Sequence, residues 1–278
     1  MDLYNKTTFE ISKLVTQRYS SSFSMASSMF EKDVRDAIYS VYGFVRFADE
    51  IVDTFHEHDK LYLIQKFEDD YYDAYKQGIS LNPILNAFQI TVKKYNIPDV
   101  HVQAFLNSMK FDLSKTVYKN VDEMNEYIYG SADVVGLMCL KVFCNGSEKM
   151  YDSLEEPARR LGSAFQKVNF LRDLKNDLEN LNRKYFPNVD HKSFDEEFKQ
   201  SIVDDIKSDF DSAYQGIQKL PKQVKLPVLV AYNYYNSLLH KIEVTPAKEI
   251  LKTRIRVSDS KKIVILGRTF IGCKLNFT

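Results

Sequence analysis

Apolar residues recur every three or four positions along most of the chain, which is the spacing of one face of an α-helix. On this pattern we predict helices over residues 7–17, 33–55, 60–76, 81–95, 99–113, 148–181, 197–218 and 224–243. Nine glycines and seven prolines in 278 residues are few breaks, and no internal repeat or low-complexity linker occurs. The pattern therefore predicts an all-α protein with a single domain over residues 1–278.

Two stretches depart from this simple pattern. A serine cluster at residues 20–24 predicts a turn, whose hydroxyls would either meet phosphate or be solvated. The segment 124–143, MNEYIYGSADVVGLMCLKVF, is apolar enough for a buried helix but contains Gly130 and Gly136. Glycine costs a helix about 1 kcal/mol relative to alanine, so we expect a kink or a close approach there, made by a long thin ligand or by another helix.

The longest predicted helix carries a row of polar side chains on an otherwise apolar surface. At about 100° per residue, Gln166, Asn169, Asp173 and Asp177 form a stripe about 16 Å long. The neighbouring apolar positions are Val168, Phe170, Leu171, Leu174 and Leu178. Because such a helix is largely packed, we expect the stripe to face an interior cavity. Two carboxylates are costly there unless a cation or hydrogen-bond donors meet them.

A second acidic pair occurs earlier, in the sequence VRFADEIVD at residues 45–53. Asp49 and Asp53 share a helix face, and Arg46 lies near it. Considered alone, Arg46 and Asp49 would form an ordinary surface ion pair. With Asn169, the two acidic pairs supply only oxygen donors, and this set suits Mg²⁺ that shares the oxygens of a diphosphate.

This donor set indicates a diphosphate-binding enzyme, although the chain has no P-loop sequence GxxxxGK[ST]. Departure of diphosphate from an allylic carbon requires neutralisation of its charge and a dry cavity for the carbocation left behind. The 18 Tyr and 19 Phe include rings that could stabilise such a cation. The basic candidates for phosphate contacts are Arg46, Arg172, Arg183 and Arg254.

Composition limits the alternatives. Lys plus Arg and Asp plus Glu both number 38, so the formal net charge of +0 gives no general attraction to nucleic acid or to an anionic membrane. Three cysteines without a CxxC spacing fit reduced thiols, and we expect a cytoplasmic protein. No signal peptide or transmembrane helix is expected, and peripheral contact with the inner face of a membrane stays open. The apolar run at 263–266 is expected in a last core helix with a frayed tail, in preference to a membrane-surface element.

These residues lie in segments that resemble the squalene and phytoene synthase family, the head-to-head prenyl transferases. The similar segments span nearly the whole chain and are SSSFSMAS, VYGFVRFADEIVD, YIYGSADVVGLMCLKVF, LGSAFQKVNFLRDLKNDLENLNRKYFP and RIRVSDSKK. The fourth is highly specific, and the two acidic sequences have the family's order and spacing. Within the family, LMCLKVF and RIRVSDSKK are more similar to bacterial phytoene synthases than to squalene synthases.

The resemblance implies a single-domain isoprenoid-synthase helical bundle around a central cavity that binds two prenyl diphosphates through Mg²⁺, or Mn²⁺ in its place. One substrate would alkylate the other to give a cyclopropylcarbinyl diphosphate, and a second ionisation would rearrange that intermediate to a linear hydrocarbon. The leading candidate is phytoene, made from two geranylgeranyl diphosphates through prephytoene diphosphate in carotenoid biosynthesis. The alternative is squalene or dehydrosqualene from farnesyl diphosphate, and only a squalene synthase would need NADPH. An assembly factor on the same fold is the non-enzyme alternative, against which the intact acidic residues argue.

Roles for individual residues follow from the same resemblance. Asp49 and Asp53 correspond to the first aspartate-rich motif, and Asn169, Asp173 and Asp177 to the second, so these five are the expected metal ligands. The four aspartates are also expected catalytic residues, together with Tyr129 and Gln166.

The remaining implied roles concern the substrates. Gln166 would contact the intermediate or the metal shell, and Tyr129 corresponds to a tyrosine associated with the rearrangement. The expected substrate-binding residues are Ser20, Ser22, Tyr42, Arg46, Asn169, Arg172, Arg183, Tyr235 and Arg254.

Two positions depart from the family pattern. Glu50 stands where relatives often have aspartate, but at 100° from Asp49 it points away from the shared face. Asp133 stands where many relatives have glycine, and it bears on the shape and polarity of the groove near Tyr129. The accepted chain length depends on cavity depth, for which the candidate side chains are Phe23, Leu137 and Leu140.

Overall fold

The computed structural model describes residues 1–187, 189, 190 and 193–274, and these residues confirm the all-α prediction. The elements are α1 (Asp2–Tyr19), α2 (Ser21–Ser27), α3 (Lys32–Thr54), α4 (Lys60–Gln77), α5 (Pro83–Tyr95), α6 (Asp99–Asp112), α7 (Val121–Ile128), a π-helical segment (Tyr129–Asp133), α8 (Val134–Cys144), α9 (Glu148–Glu179), α10 (Glu196–Lys219), α11 (Lys222–Val244), α12 (Ala247–Ile250) and α13 (Asp259–Lys274). Every helix that was predicted by range is present with ends within about five residues of the prediction.

The described chain forms two compact units. One consists of residues 1–114 and 134–155, and the other of residues 115–133 and 156–274. Each unit has buried apolar residues of its own. The single domain expected over 1–278 stays a prediction.

The first unit is built around α3, which contacts α1, α4, α5, α6 and α8. Phe44 on α3 is fully buried, and its ring stacks on that of Phe88 with the centroids 3.9 Å apart. Burial of a side chain of this size stabilises the fold by about 2–3 kcal/mol. Such packing fixes the rotation of α3 about its axis and so decides where the acidic pair on this helix points.

The second unit is built around the part of α9 that begins at residue 156. Val168, Leu171 and Leu174 are buried, as their apolar spacing predicts, and the ring of Phe170 stacks on that of Tyr185 with the centroids 4.0 Å apart. In the same unit α11 packs against both α10 and α13. Because the apolar positions of α9 hold the core, its polar stripe lies on another side of the helix.

A π-helical segment, Tyr129–Asp133, occupies the place where the glycines predicted a kink or a close approach. A close approach occurs here, and the glycine that allows it lies on α9. A Cβ atom added to Gly162 on α9 would lie only 2.9 Å from the carbonyl oxygen of Ala132 and 2.9 Å from the Cα of Asp133. Glycine at position 162 therefore lets α9 pack directly on the backbone of the π-helical segment.

A second close contact joins α9 to α10. A Cβ atom added to Gly216 on α10 would lie 2.3 Å from the Cβ of Pro157, which is inside α9. Here a glycine accommodates a side chain, whereas at Gly162 it accommodates backbone.

The two ends of the chain differ from expectation. The turn predicted at 20–24 is wrong beyond its first residue, because α2 starts at Ser21. The apolar run at 263–266 lies in α13, but Ile263 and Val264 are exposed, so only the other side of this helix is a core element.

Among the described residues, one helical stretch is long and apolar enough to cross a membrane by length and composition. It comprises Val121–Cys144, with a mean hydropathy of 1.4, and 61% of its most apolar window is buried inside the protein. Burial of this kind is typical of a core helix.

Candidate active site

The first aspartate pair lies on α3 in the first unit. Asp49 and Asp53 are one helical turn apart and both are half-buried. Burial raises the pKa of Asp49 to about 7, the carboxylates of Asp53 and Asp112 add to this shift, and Arg46 opposes it. Asp112 is the last residue of α6 and is itself buried. Carboxylates that repel one another in this way would be stabilised by a cation.

Arg46 connects this pair to its neighbours. Its Nη2 donates a hydrogen bond to Oε2 of Glu50, whereas its Nη1 lies 4.0 Å from Oδ2 of Asp49. The guanidinium also lies over the ring of Tyr19, 4.6 Å from the centroid. Glu50 thus takes the closer contact with Arg46, and it also accepts from Oγ1 of Thr54 at 2.9 Å, away from the face of the aspartate pair.

The serines and Tyr42 lie near the start of α2 and on α3. Oγ of Ser20 accepts a hydrogen bond from the backbone N–H of Phe23 at 3.2 Å and thereby caps α2, which explains why a helix replaces the predicted turn. Ser22 is half-buried in the first turn of α2. The ring of Tyr42 stacks on that of Phe23 with the centroids 4.9 Å apart. The substrate contacts expected of Ser20, Ser22 and Tyr42 stay predictions.

The second aspartate-rich motif lies on α9 in the second unit, where two arginines hold Asp173. Arg172 donates to the Asp173 carboxylate from Nε at 3.1 Å and from Nη2 at 2.5 Å. Arg254, in the loop between α12 and α13, places Nε 2.6 Å from Oδ1 and Nη2 3.3 Å from Oδ2 of the same carboxylate. Charge-assisted hydrogen bonds of this kind are about twice as strong as neutral ones. Two basic residues proposed from the sequence therefore meet at the second motif.

Asn169 and Asp177 flank Asp173 along α9. Oδ1 of Asn169 accepts a hydrogen bond from the hydroxyl of Tyr235 on α11 at 3.3 Å. Burial raises the pKa of Tyr235, so its hydroxyl stays protonated and able to donate. Asp177 is buried, and its backbone carbonyl accepts from the N–H of Arg183 at 2.7 Å. The structure thus brings Tyr235 and Arg183 to the stripe on either side of Asp173, at Asn169 and at Asp177.

Tyr129 and Gln166 are both tied to the π-helical segment. Tyr129 is its first residue, and the guanidinium of Arg159 lies over its ring, 5.2 Å from the centroid. Nε2 of Gln166 donates to Oγ of Ser131 at 3.4 Å. The π-helical segment therefore contains Tyr129 and also provides the hydrogen-bond acceptor for Gln166.

The structure shows which groups surround Asp133. Its carboxylate is buried, accepts a hydrogen bond from Oγ of Ser163 at 2.7 Å, and lies 3.8 Å from Nε of Arg159. Burial raises the pKa of Asp133 to about 6, and the Ser163 hydrogen bond and the Arg159 charge oppose the shift. The residue borders a cavity of about 640 Å³ within the second unit, which Arg160, Lys167 and Asp205 also line.

Sequence reasoning missed Arg159 and Asp112. Arg159 lies seven residues before Gln166 on the same helix and continues its polar stripe, so the helical period would have found it. Asp112 acts on Asp49 from a different helix, and no local spacing relates the two residues.

The donor chemistry of each motif fits Mg²⁺. Asp49 and Asp53 in one unit, and Asn169, Asp173 and Asp177 in the other, present carboxylate and amide oxygens. Within the described residues, no three His, Cys, Asp or Glu side chains are grouped closely enough to hold a metal by themselves. Since Mg²⁺ is usually bound by one or two carboxylates together with water and phosphate oxygens, open sites of this kind suit a metal that the substrate helps to bind.

Comparison with known proteins places the chain in a family. A family model described as squalene/phytoene synthase matches residues 16–261, which include both aspartate-rich motifs, Tyr129 and Gln166. This span covers most of the chain.

Individual relatives are distant but match over most of the chain. The sequence is 26% identical over 273 residues to the chloroplastic phytoene synthase 1 of Solanum lycopersicum, covering 91% of this chain and 65% of that protein. It is 25% identical over 284 residues to the phytoene synthase of Arthrospira platensis, covering 93% and 91% respectively. The chain therefore spans slightly less than two thirds of the Solanum protein and nearly all of the Arthrospira protein.

Solved structures show the same fold. A crystal structure of a dehydrosqualene synthase matches with a TM-score of 0.83 and 20% identity, covering 97% of this chain and 98% of that one. The squalene synthase HpnC from Alicyclobacillus acidocaldarius matches with a TM-score of 0.75 and 22% identity, covering 86% and 94%. The fold is therefore that of the helical isoprenoid synthases, and, with the family model matching residues 16–261, the chain belongs to the squalene/phytoene synthase family.

Proposed function

We propose that this protein is a prenyltransferase that joins two prenyl diphosphates head to head. The observation that carries the proposal is the presence of both aspartate-rich motifs on α3 and α9 in a chain whose residues 16–261 match the family model. An assembly factor that had lost the reaction would not need two sets of oxygen donors whose carboxylates are buried or half-buried.

The two aspartate-rich motifs would bind the metal and the diphosphate. In the first unit Asp49 and Asp53 would bind Mg²⁺ that shares diphosphate oxygens, and in the second unit Asn169, Asp173 and Asp177 would do the same. The chemistry that Mg²⁺ supplies when bound is neutralisation of the negative charge on the leaving diphosphate.

Other side chains would orient the substrate and stabilise charge. Arg172 and Arg254 already lie at Asp173 and could shift to phosphate oxygens, which guanidinium groups bind in bidentate geometry. The face of Tyr129 would stabilise positive charge on the prenyl chain during rearrangement. Hydroxyl donation from Tyr235 would keep the Asn169 amide oriented with its oxygen fixed.

The favoured substrate is geranylgeranyl diphosphate and the favoured product phytoene, formed through prephytoene diphosphate as a step of carotenoid synthesis. Relatives that match over more than 90% of this chain are named phytoene synthases. Farnesyl diphosphate is the second candidate, because the solved structures of the same fold include a dehydrosqualene synthase and a squalene synthase. NADPH would be needed only for squalene.

The test is incubation of the purified full chain with Mg²⁺ and each prenyl diphosphate, with and without NADPH. Release of diphosphate is followed, and the hydrocarbon product is identified by mass. Phytoene from geranylgeranyl diphosphate without NADPH supports the favoured reading, and a C30 product from farnesyl diphosphate moves the assignment to the second candidate. If neither substrate releases diphosphate with Mg²⁺ or Mn²⁺, the chain is not an enzyme of this type.

The proposed location is the cytoplasm, with peripheral contact with a membrane. A hydrocarbon product has no charged group, so it is poorly soluble in water and would leave the protein most easily into lipid. Fractionation of cells that express the chain, followed by detection of the protein in membrane and soluble fractions, tests this location.

A further inference from the structure

Helix α13 exposes apolar side chains on the side turned away from the protein. Ile263, Val264, Phe270 and Ile271 keep 67%, 49%, 40% and 58% of their surface exposed. At 100° per residue these four positions fall within an arc of about 120°. An exposed apolar arc is the reverse of the pattern expected for a surface helix, whose polar face normally meets solvent.

The opposite side of α13 is anchored. Thr269 is buried, and its Oγ1 accepts a hydrogen bond from Nδ2 of Asn233 on α11 at 2.8 Å. The helix therefore has one side packed against α11 and an opposite, apolar side that is exposed. We call the outward side, formed by Ile263, Val264, Phe270 and Ile271, the α13 apolar face.

Basic residues lie along one border of the α13 apolar face, and the exposed Asp259 on the other border is paired with Lys262. Residues 248–268 contain seven basic and two acidic side chains, an excess of five positive charges in a chain whose formal net charge is +0. Lys261 and Arg268 on α13 are exposed and lie next to the apolar arc on the helix surface. An exposed apolar strip bordered by basic side chains is typical of helices that lie in the plane of an anionic membrane surface.

We propose that the α13 apolar face is a docking surface for an anionic lipid bilayer. Ile263, Val264, Phe270 and Ile271 enter the boundary between headgroups and acyl chains, while Lys261 and Arg268 contact lipid phosphates. Charge selects the bilayer over a second copy of this chain, because two such faces brought together would place Lys261 and Arg268 of both copies close to one another. The inference rests on the surface alone, so it holds or fails independently of the proposed reaction.

The direct test is flotation of the purified full chain with vesicles. Vesicles of phosphatidylcholine alone are compared with vesicles that also contain phosphatidylglycerol. We expect binding to the anionic vesicles to exceed binding to the neutral ones by about tenfold or more, since each basic residue near an anionic surface contributes about 1 kcal/mol. Raising the salt to about 0.5 M should reduce this difference several-fold because it screens the charges.

Two variants separate the apolar and the electrostatic contributions. Ile263→Glu with Phe270→Glu should lower binding to anionic vesicles at least about tenfold, because two charged side chains replace apolar ones at the interface. Lys261→Gln with Arg268→Gln should lower binding to anionic vesicles about tenfold and leave binding to neutral vesicles unchanged.

A matched control uses leucines that are exposed elsewhere. Leu14 on α1 and Leu61 on α4 are 51% and 62% exposed, and changing both to Glu should leave vesicle binding within about twofold of the unchanged protein. Circular dichroism and thermal melting establish that each variant is folded. Diphosphate release measured in detergent shows whether loss of vesicle binding is accompanied by loss of activity.

Three results would overturn the proposal. The unchanged chain could fail to float with either vesicle, or the Ile263→Glu, Phe270→Glu variant could float as well as the unchanged chain. Light scattering could instead show a dimer that this variant converts to a monomer, in which case the α13 apolar face joins two copies of the chain.

Discussion

The two aspartate-rich motifs have the same spacing in the sequence and different electrostatic surroundings in the structure. On α3, Asp49 lies among other carboxylates, and burial together with Asp53 and Asp112 raises its pKa to about 7. On α9, Asp173 accepts hydrogen bonds from the guanidinium groups of both Arg172 and Arg254. The i, i+4 spacing of two aspartates therefore does not show whether their carboxylates would be stabilised by an added cation or are already bound by arginine side chains.

The difference suggests that the two motifs would bind Mg²⁺ and diphosphate in different ways. At the first motif, a divalent cation would relieve repulsion between carboxylates. At the second motif, a cation would have to compete with Arg172 and Arg254, which would then be released to phosphate oxygens.

Removal of the Asp49 carboxylate or of the Asp173 carboxylate should have the largest effect on turnover. Asp49→Asn and Asp173→Asn should each lower turnover in the first condensation at least about 100-fold, because the charge that holds the metal–diphosphate complex is lost. The measurement is single-turnover formation of the cyclopropylcarbinyl diphosphate, with circular dichroism to show an intact fold.

Asp70→Asn serves as the control, since Asp70 lies on α4 and its carboxylate accepts a hydrogen bond from Lys66, one turn earlier on the same helix. Its turnover should be unchanged. Near-normal turnover in either motif variant would show that the corresponding aspartate is not a metal ligand.

Burial is the largest cause of the raised pKa of Asp133, whereas at Asp49 the neighbouring carboxylates add to the effect of burial. The Asp133 carboxyl has a folded-state pKa of about 6, above its ordinary value of 3.8, so its contribution to stability is complete below pH 3.8 and is lost as the pH rises through 6. The shift corresponds to at most about 3 kcal/mol. Asp133→Asn should therefore raise the free energy of unfolding by about 1–2 kcal/mol at pH 8 and change it little near pH 4.

Thermal melting at the two pH values measures this effect, and an increase of about 2–5 °C at pH 8 is expected. Asp211→Asn, at an exposed position on α10, should melt like the unchanged protein at both pH values. A lower melting temperature for Asp133→Asn at pH 8 would mean that the charge of Arg159 outweighs the cost of burial.

Arg254→Gln tests the competition at the second motif. Removing one of the two guanidinium groups should lower the Mg²⁺ concentration for half-maximal activity several-fold and raise the KM for prenyl diphosphate about tenfold. The two constants are measured by varying Mg²⁺ and substrate separately. An unchanged KM would show that Arg254 only neutralises Asp173 and takes no part in binding phosphate.

The smallest expected effect comes from Asp112. Asp112→Asn removes one of the carboxylates that raise the pKa of Asp49, so the acidic limb of the pH–rate profile should move to lower pH. The gain in rate near pH 6 should be less than about tenfold. An acidic limb that stays in place would mean that Asp49 does not set it, and the same variant assayed at pH 8 provides the control.

The local hydrophobic periodicity was sufficient to predict the helices and to predict which residues share a helix face. The apolar spacing around Phe44 predicted α3 to within one residue at each end, and Gly130 predicted the region that forms the π-helical segment. The serine cluster was misread because Ser20 and the amide of Phe23 satisfy each other, which starts a helix where composition suggested a turn.

Contacts between distant parts of the chain could not be read in this way. Arg254 reaches Asp173 across 81 residues, and Asp112 affects Asp49 from another helix. Resemblance to a family proposed Arg254 as a phosphate contact, but only the folded chain shows that its guanidinium lies at the second aspartate motif. The outward side of α13 was likewise hidden, because an apolar run does not reveal which of its residues are covered.

The two close-contact glycines carry a consequence for how this sequence can vary over evolution. The obstacle opposite Gly216 is the ring of Pro157, which a second substitution can remove, so a side chain at 216 becomes acceptable once residue 157 is smaller. The obstacle opposite Gly162 is the backbone of Ala132 and Asp133, which no substitution removes. Positions 157 and 216 are therefore expected to covary among relatives, whereas position 162 should stay glycine whatever its neighbours become.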